Sequence, residues 1–252
     1  MGDLSGHSVS AAGDVNGDGI DDLIIGNGRL SSNDSYVVFG QISGFSPSLD
    51  LSTLDGTNGF EITGDVSDPF VGISVSGAGD VNGDGFDDLI IGSTYADNTQ
   101  GAGASYVVFG TNNGFSSSLD LNTLDGTNGF VINGINAVDR SGSSVSAAGD
   151  VNGDGIDDLI IGAYLANRVL PPEVQLSNAS TGESYVVFGR AAVPAPLIGD
   201  VNQDGEVNFL DIAPFISILS SDGFLEEADI NEDGVVNFLD IGPFIDVLAS
   251  QS

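Results

Sequence analysis

The segment GDVNGDGIDDLIIG at residues 13–26 is repeated without change at residues 149–162 and with one substitution at residues 79–92. A second segment, SYVVFG, follows each copy. The copies lie 66 and then 70 residues apart. Near-identical segments at such a spacing indicate a repeat architecture in which each copy is one structural unit.

Short runs of strand-forming residues, separated by Gly, Asn and Asp, fill the rest of each repeat. In the middle copy these runs lie at residues 60–62, 73–76, 89–91 and 106–109. About four strands per repeat is typical of a β-propeller blade. For residues 1–190 we therefore predict a mainly β fold, a partial β-propeller of about three blades.

The first copy has no counterpart of the run at residues 60–62, since nothing ahead of Asp3 supplies one. We therefore expect the first blade to lack a strand. The chain begins in the middle of a repeat. It shows no secretory signal, because a basic segment followed by an apolar segment is not found at its start. The interpretation is that the chain is truncated at its N-terminus.

A different repeat fills residues 199–252, after a Pro- and Ala-rich linker at residues 191–198. It consists of DVNQDGEVNFLDIAPFISIL from Asp200 and DINEDGVVNFLDIGPFIDVL from Asp229. Apolar residues spaced about 3.6 apart in the second half of each copy predict a helix. Because Pro is tolerated only in the first turn, each helix should start near Asp211 or Asp240. The prediction is a small helical C-terminal module.

Composition excludes several classes of function. Thirty Asp and seven Glu face four Arg and no Lys, and the formal net charge is −33. Binding to nucleic acid or to an anionic lipid surface requires clustered basic residues, so neither is expected. No apolar run approaches the roughly 20 residues that span a bilayer, so no membrane insertion is expected.

The chain has too few acid–base and nucleophilic residues to predict an enzyme. The chain has one His and no Cys or Lys, which removes most nucleophilic and acid–base chemistry. The unrepeated Glu61, Glu173 and Glu183 form no recognisable catalytic pair. We therefore predict no catalytic residues and no enzymatic activity.

Five loops share the pattern Asp-x-Asn-x-Asp-Gly and begin at residues 14, 80, 150, 200 and 229. Side chains at positions 1, 3 and 5 of such a loop converge, and Gly at position 6 permits the turn. Two carboxylates about 4 Å apart repel by roughly 1 kcal/mol in water and about 4 kcal/mol at a partly buried site, so a cation is expected among them. Oxygen ligands and a carbonyl at position 7 favour Ca²⁺.

The loops differ after position 7. The first three have Asp at position 9 and run directly into a strand, whereas the last two have Asn at position 9, Asp at position 12 and a helix. The prediction is about five calcium sites, with calcium as the only cofactor.

Residues 1–190 resemble the FG-GAP repeats of integrin-α-type β-propellers, on the basis of DVNGDGIDDLIIG, the SVSAAG segment before it and the VVFG after it. The resemblance implies calcium ligands from side chains and from the carbonyl at position 7 of each loop. In the three loops these are Asp14, Asn16, Asp18, Ile20 and Asp22; Asp80, Asn82, Asp84, Phe86 and Asp88; and Asp150, Asn152, Asp154, Ile156 and Asp158.

Residues 199–252 resemble a type I dockerin, a tandem of calcium loops with one helix each, similar to C-terminal modules on secreted planctomycete-type proteins. The loop pattern gives as ligands Asp200, Asn202, Asp204, Glu206, Asn208 and Asp211, and Asp229, Asn231, Asp233, Val235, Asn237 and Asp240. Dockerins bind cohesin domains. The small polar pair common after position 9 is replaced here by Phe209-Leu210 and Phe238-Leu239, which argues against cohesin recognition of the usual kind.

Two functions are compatible with these resemblances. The first is an extracellular or cell-surface calcium-binding protein that mediates adhesion or protein assembly through propeller loops and the dockerin-like module. The alternative is a non-catalytic C-terminal part of a secreted polysaccharide-degrading enzyme or complex. Extracellular calcium modules bind at about 10⁻⁴ to 10⁻³ M, which suits a location outside the cell.

Three further expectations concern the propeller part. FG-GAP propellers usually have seven blades, so three repeats would need missing blades or association between chains to complete a ring. The Asp at position 8 of each loop, at residues 21, 87 and 157, is expected to be solvated. Phe39, Phe109 and Phe188 are expected to pack in the core between blades.

Overall fold

A computed structural model describes residues 5–28, 34–64, 70–96, 101–166, 181–191, 199, 201, 207–220, 225, 228–231, 235–237 and 239–250. The chain divides into two compact units, Met1–Ala192 and Val193–Ser252. The first unit is built from strands and the second contains two helices. The linker residues 192–198 lie outside the described residues.

Three sheets, each built mainly from one repeat and antiparallel within its blade, form the described part of the first unit as a partial β-propeller. The first blade contains β1 (Ser5–Gly13), β2 (Asp22–Asn27), β3 (Asp34–Val38) and β4 (Gly59–Thr63). The second contains β5 (Ser74–Gly79), β6 (Asp88–Ser93), β7 (Ala104–Val108) and β9 (Gly129–Asn133). The third contains β10 (Ser141–Gly149), β11 (Asp158–Ala163) and β12 (Glu183–Val187). A short strand, β8 (Ser118–Asp120), runs parallel to β4.

The sequence analysis assigned the strand at residues 60–62 to the middle repeat, and this assignment was wrong. This strand, β4, pairs antiparallel with β3 and is therefore the fourth strand of the first blade. The first blade is consequently complete, and the third blade has three strands among the described residues. A repeat period does not tell whether a strand closes one unit or opens the next, and only the pairing of Val37 with Phe60 decides it here.

The hydrophobic core of the first unit consists of two layers, one between each pair of neighbouring blades. Ile24, Val37 and Phe60 of the first blade lie against residues of the second blade, and all three are buried. The second layer repeats the arrangement, with Ile90 and Val107 packed against the third blade. Successive side chains of a strand point to opposite faces of the sheet, so the middle blade contributes one face to each layer.

The three repeated Phe residues differ in their environments. Phe39 is buried, and its ring packs against Phe60 with centroids 5.9 Å apart. Phe109 packs against the second core layer beside Phe130. The expectation that Phe188 is a core residue was wrong, because it lies on the outer face of the third blade, where no described sheet covers it, and it is exposed.

The second unit contains α1 (Ile212–Leu219) and α2 (Ile241–Ser250). Both helices begin directly after the predicted Asp residues, which confirms the helix starts. Phe215 and Phe244 stack at their centre with centroids 4.2 Å apart. In the described part of the chain, no helix has the length and hydropathy needed to cross a membrane.

Because the blades are joined by packed apolar layers, a cavity in a layer should weaken the whole stack. Ile90 is 0% exposed in the second layer, whereas Ile160, at the same repeat position of the third blade, is 39% exposed. We expect Ile90→Ala to lower the free energy of unfolding by about 2–5 kcal/mol. Ile160→Ala is the matched control and should cost less than about 1.5 kcal/mol. Urea denaturation in excess calcium measures both, and equal losses would contradict this packing.

Candidate metal centres

Each Asp-rich loop of the propeller is folded around its own carboxylates. In the first loop, the two carboxylate oxygens of Asp14 accept hydrogen bonds from the N–H groups of Asp18 (3.0 Å) and Gly19 (2.8 Å). The Asp18 carboxylate in turn accepts from the N–H of Ile20 at 2.9 Å. Gly19 has φ of 85°, a conformation that a side chain disfavours. Positions 1 and 5 are therefore held in one tight turn.

The same hydrogen bonds recur in the second and third loops. The equivalent acceptors are Asp80 and Asp84, and Asp150 and Asp154, with distances between 2.8 and 3.1 Å to the same three N–H groups. In the third loop, the N–H of Gly155 lowers the pKa of Asp150. The three copies thus reach one geometry, in which the side chains of positions 1 and 5 lie in the same turn and the amide N–H of the position 3 Asn donates to the position 5 carboxylate.

The Asp at position 9 is buried beneath each of these loops. Asp22 accepts hydrogen bonds from the N–H of Val15 at 3.1 Å and from the N–H of Gly40 at 2.8 Å. It therefore joins the start of the loop to the chain that follows β3. The pKa of Asp22 is raised to about 6, chiefly by burial; the charges of Asp18 and Asp14 act in the same direction, and the two backbone hydrogen bonds oppose it. The charged form of this carboxylate is thus disfavoured unless a cation is near.

Asp88 occupies the same place in the second loop. It accepts from Val81 at 2.9 Å and from Gly110 at 2.9 Å. Burial raises the pKa of Asp88 to about 7, again with Asp84 and Asp80 acting in the same direction. In the third loop Asp158 is bound in the same way, by the N–H groups of Val151 and Gly189.

Within the described ranges, no three Asp, Glu, His or Cys side chains are grouped closely enough to hold a metal ion. Position 3 is Asn, which is not among these residue types, and both oxygens of the position 9 carboxylate accept backbone hydrogen bonds. Each carboxylate oxygen has two lone pairs, so one on each remains available to a ligand. With carboxylate, amide and carbonyl oxygens only, the donor set fits a hard divalent cation such as Ca²⁺.

The Asp at position 8 has a role that the sequence analysis missed. Asp87 was expected to be solvated, but its carboxylate accepts a hydrogen bond of 2.8 Å from the N–H of Asp14 in the preceding blade. Asp157 does the same for Asp80 at 3.2 Å. Only Asp21, which has no described blade before it, is exposed as expected. The signal was present in the sequence, because all three copies keep two adjacent Asp residues.

The close approach of neighbouring blades at this hydrogen bond also explains a repeated glycine. Gly13 has φ of 74°, and a Cβ atom there would lie 2.2 Å from a carboxylate oxygen of Asp87. Gly79 meets Asp157 in the same way, whereas a Cβ at Gly149 would meet nothing within 4 Å. The glycine before each loop therefore leaves room for the next blade.

Part of each C-terminal loop is described. The buried Asp240 accepts hydrogen bonds from the N–H groups of Asn231 (3.2 Å) and Asn237 (2.8 Å), so position 12 joins positions 3 and 9 of its loop. Asp211, also buried, accepts from the N–H of Asn208 at 2.8 Å. The remaining described ligand positions are Asp229, which is buried, and Val235. The other predicted ligands lie outside the described residues: Asp200, Asn202, Asp204, Glu206 and Asp233.

Stacked antiparallel sheets with an Asp-rich loop before the second strand of each blade define a β-propeller repeat. The model of the FG-GAP repeat matches residues 5–39, 71–108 and 141–187, and that of the dockerin type I domain matches residues 198–243. The chain therefore consists of FG-GAP repeats followed by a type I dockerin domain, which confirms both resemblances. Both are non-catalytic modules, and both are generally calcium-binding.

Curated proteins similar to this chain are integrin alpha subunits. Integrin alpha pat-2 of Caenorhabditis elegans is 31% identical over 74% of this chain and 16% of its own length. Integrin alpha-5 of Xenopus laevis is 28% identical over 70% of this chain and 15% of its own length. Integrin alpha-PS5 of Drosophila melanogaster is 29% identical over 67% of this chain and 16% of its own length. The chain thus spans about one sixth of these relatives.

The bond from Asp14 to Asp87 predicts different effects for equivalent substitutions. Asp87→Ala leaves the half-buried N–H of Asp14 without its acceptor and should lower the free energy of unfolding by about 1–3 kcal/mol. Asp21→Ala, the matched control, removes the same side chain where it is exposed and should change stability by less than about 0.5 kcal/mol. Denaturation in excess calcium at low protein concentration measures both. A neutral Asp87→Ala would contradict the link between blades.

Proposed function

We propose that this chain is a calcium-binding protein of the cell exterior that assembles with other proteins. The calcium sites are those of the five Asp-rich loops, with the ligand sets predicted above. The observation that carries the proposal is the repeated loop geometry, in which position 9 carboxylates are buried beneath two further carboxylates. In Asp22 and Asp88 burial and like charges act together, and Ca²⁺ would supply the missing positive charge.

Calcium in the propeller loops would act as a structural brace. Each propeller loop links two strands of its blade through position 9, and the first two loops are also linked to the following blade through position 8 of the next loop. An ion held at one hundred times its dissociation constant adds about 2.7 kcal/mol of stability per site. Several such ions are comparable with the whole stability of a domain, about 5–15 kcal/mol. Folding would therefore be favoured where free calcium is abundant, as it is outside the cell.

Removal of one ligand should remove one ion. We expect Asp84→Ala to lower the number of Ca²⁺ ions bound per chain by one, because its carboxylate is at position 5 of the second loop. Asp125→Ala is the matched control, since Asp125 is also an exposed loop carboxylate bound to a backbone N–H, that of Thr127, but lies outside the Asp-rich loops. Calorimetric titration of chelator-treated full chain counts the ions. No calcium uptake by the unsubstituted chain would overturn the proposal.

The dockerin unit is the proposed docking module, and it exposes paired apolar side chains. Leu210 and Leu239, at position 11 of the two loops, are both exposed, and so are Ile216 and Ile245 on the helices that follow. These side chains come in equivalent pairs because the two loop-helix segments are repeats. A partner that fits these side chains would present an apolar surface. A partner of dockerins that have the common small polar pair after position 9 would present a polar one.

This surface makes the partner testable with purified cohesin domains, a panel of which is immobilised and exposed to the full chain in calcium. We expect Leu210→Asp combined with Leu239→Asp to weaken any binding by tenfold to a hundredfold or more, at about 1–3 kcal/mol per lost contact. Ile42→Asp is the control, since Ile42 is an exposed apolar residue of the propeller. Binding that both variants retain, or no binding by any cohesin, would contradict this docking surface.

A further inference from the structure

Among the described residues, only two other than glycine have a left-handed backbone, and both lie in the loop that joins β9 to β10. Val138 has φ of 65° and Arg140 has φ of 59°. A β-branched residue such as Val rarely adopts this conformation, so the loop is held in a strained form. Strain of this kind persists where the surrounding structure enforces it, and it is concentrated at functional sites.

Both ends of this loop are fixed to the loop between β6 and β7. The N–H of Gly134 donates to the carbonyl of Gly103 at 2.7 Å, and the N–H of Arg140 donates to the carbonyl of Gly101 at 3.1 Å. The loop comes before β10, whereas the third Asp-rich loop comes after it. Arg140 therefore has a fixed position at the end of the blades opposite the Asp-rich loops.

The side chain of Arg140 lies on an aromatic ring. Its guanidinium carbon is 3.4 Å from the centroid of the Tyr95 ring, and its Nη2 donates to the Tyr95 hydroxyl. The same ring stacks on Phe70, with centroids 4.8 Å apart. Phe70 occupies the repeat position of Arg140 in the preceding repeat. The chain thus has a cation where the earlier repeat has an apolar ring.

The positive charge of Arg140 has no counter-charge among the described residues. Its Nε is buried without an acceptor, and its guanidinium forms no ion pair with a described carboxylate. The neighbouring Asp139 is 3% exposed, and its carboxylate accepts a hydrogen bond of 3.0 Å from Asn136 instead. A cation that is partly removed from water without a partner is costly. A ligand that carries a negative charge would offset this cost.

Exposed apolar side chains accompany this cation. Tyr95 is 37% exposed, and in the loop of Arg140 itself Val138 is 48% and Ile135 is 71% exposed. Tyr and Arg are among the residues that most often carry the binding energy of protein interfaces. We name Tyr95, Ile135, Val138 and Arg140 the Arg140 surface. We propose that the Arg140 surface binds a protein segment that presents a carboxylate between apolar side chains.

A carboxylate suits this surface better than a more highly charged anion. One guanidinium supplies one positive charge, and its planar array of N–H groups matches the two oxygens of a carboxylate. The formal charge of −33 repels a phosphate or a polyanion more strongly than a single carboxylate. At physiological ionic strength this repulsion is screened beyond about 8 Å, so remote acidic residues have little effect on a contact at Arg140.

Nuclear magnetic resonance of the isotope-labelled full chain in excess calcium tests the proposal. The chain has four Arg residues, so the Nε–H signals are few enough to assign by substitution. The probe is the capped tripeptide Leu-Asp-Leu, added up to about 10 mM, and its control is Leu-Asn-Leu. We expect a saturable shift of the Arg140 Nε–H signal with the Asp peptide and about tenfold weaker binding of the Asn peptide. No shift at Arg140, or equal binding of the two peptides, overturns the proposal.

Substitution of Arg140 distinguishes a direct contact from a structural role. Arg140→Gln should bind both peptides equally weakly, as read from the backbone N–H signal of Tyr95, because the preference for the carboxylate is lost with the cation. A variant that keeps the preference would overturn the proposal. Arg190→Gln removes an equal charge from the end of the third blade, and as the control it should bind the Asp peptide normally.

Val138 provides a second pair of variants should Arg140→Gln unfold. Asp and Asn adopt a left-handed backbone more readily than Val, so Val138→Asp and Val138→Asn should both fold. The Asp variant places a negative charge in the loop and should bind Leu-Asp-Leu about tenfold more weakly than the Asn variant. Equal binding by the two variants would overturn the proposal.

Two further measurements separate this inference from its alternatives. Sodium glucuronate carries a carboxylate without apolar neighbours, so binding as tight as that of Leu-Asp-Leu would overturn the assignment to a protein segment. The Arg140 surface is separate from the calcium loops and from the dockerin unit. Failure of the peptide to bind a chain that takes up Ca²⁺ normally would therefore overturn this inference alone and leave the proposed function unchanged.

Discussion

The structure of the propeller unit depends on carboxylates that accept hydrogen bonds from the backbone of the Asp-rich loops. Within one loop, Asp14 and Asp18 hold the turn. Beneath it, Asp22 ties the loop to the chain after β3. Across the joint, Asp87 reaches back from the next blade to the first residue of the loop. One short motif therefore sets the turn, the blade and the stacking of blades.

This arrangement concentrates negative charge where the fold is tightest. A carboxylate removed from water is costly to keep ionised, and the raised pKa values of Asp22 and Asp88 reflect that cost. The chain has no Lys and only four Arg to offset it. A bound divalent cation, as proposed for these loops, would offset this cost locally, and metal binding and folding would then be linked. The link would explain why a chain with so few positive side chains still forms a compact repeat structure.

The two units use the same loop pattern for different folds. In the propeller the loop continues into the second strand of a blade, and in the middle blade apolar residues on both faces of that strand, β6, are buried between sheets. In the dockerin domain the loop continues into a helix whose core face is set by the stacked rings of Phe215 and Phe244. Ile216 and Ile245 follow the helical spacing as well, but they lie on the open side of the helices. The hydrophobic period therefore indicates a helix without stating which part of it is covered.

The sequence by itself determined the repeats, the strand and helix classes and the two modules, because each is encoded within a short segment. The ligand positions of the loops stay a prediction. The sequence did not determine which blade contains the strand at residues 60–62, since its pairing with β3 is a contact between residues far apart in the sequence. Nor did it show that Asp87 accepts a hydrogen bond from the preceding blade while Asp21 is exposed, although both occupy the same position in near-identical segments. The same holds for Phe39 and Phe188. Identical segments acquire different environments only when sheets stack, because burial and hydrogen bonding across a joint depend on the neighbour that tertiary structure supplies.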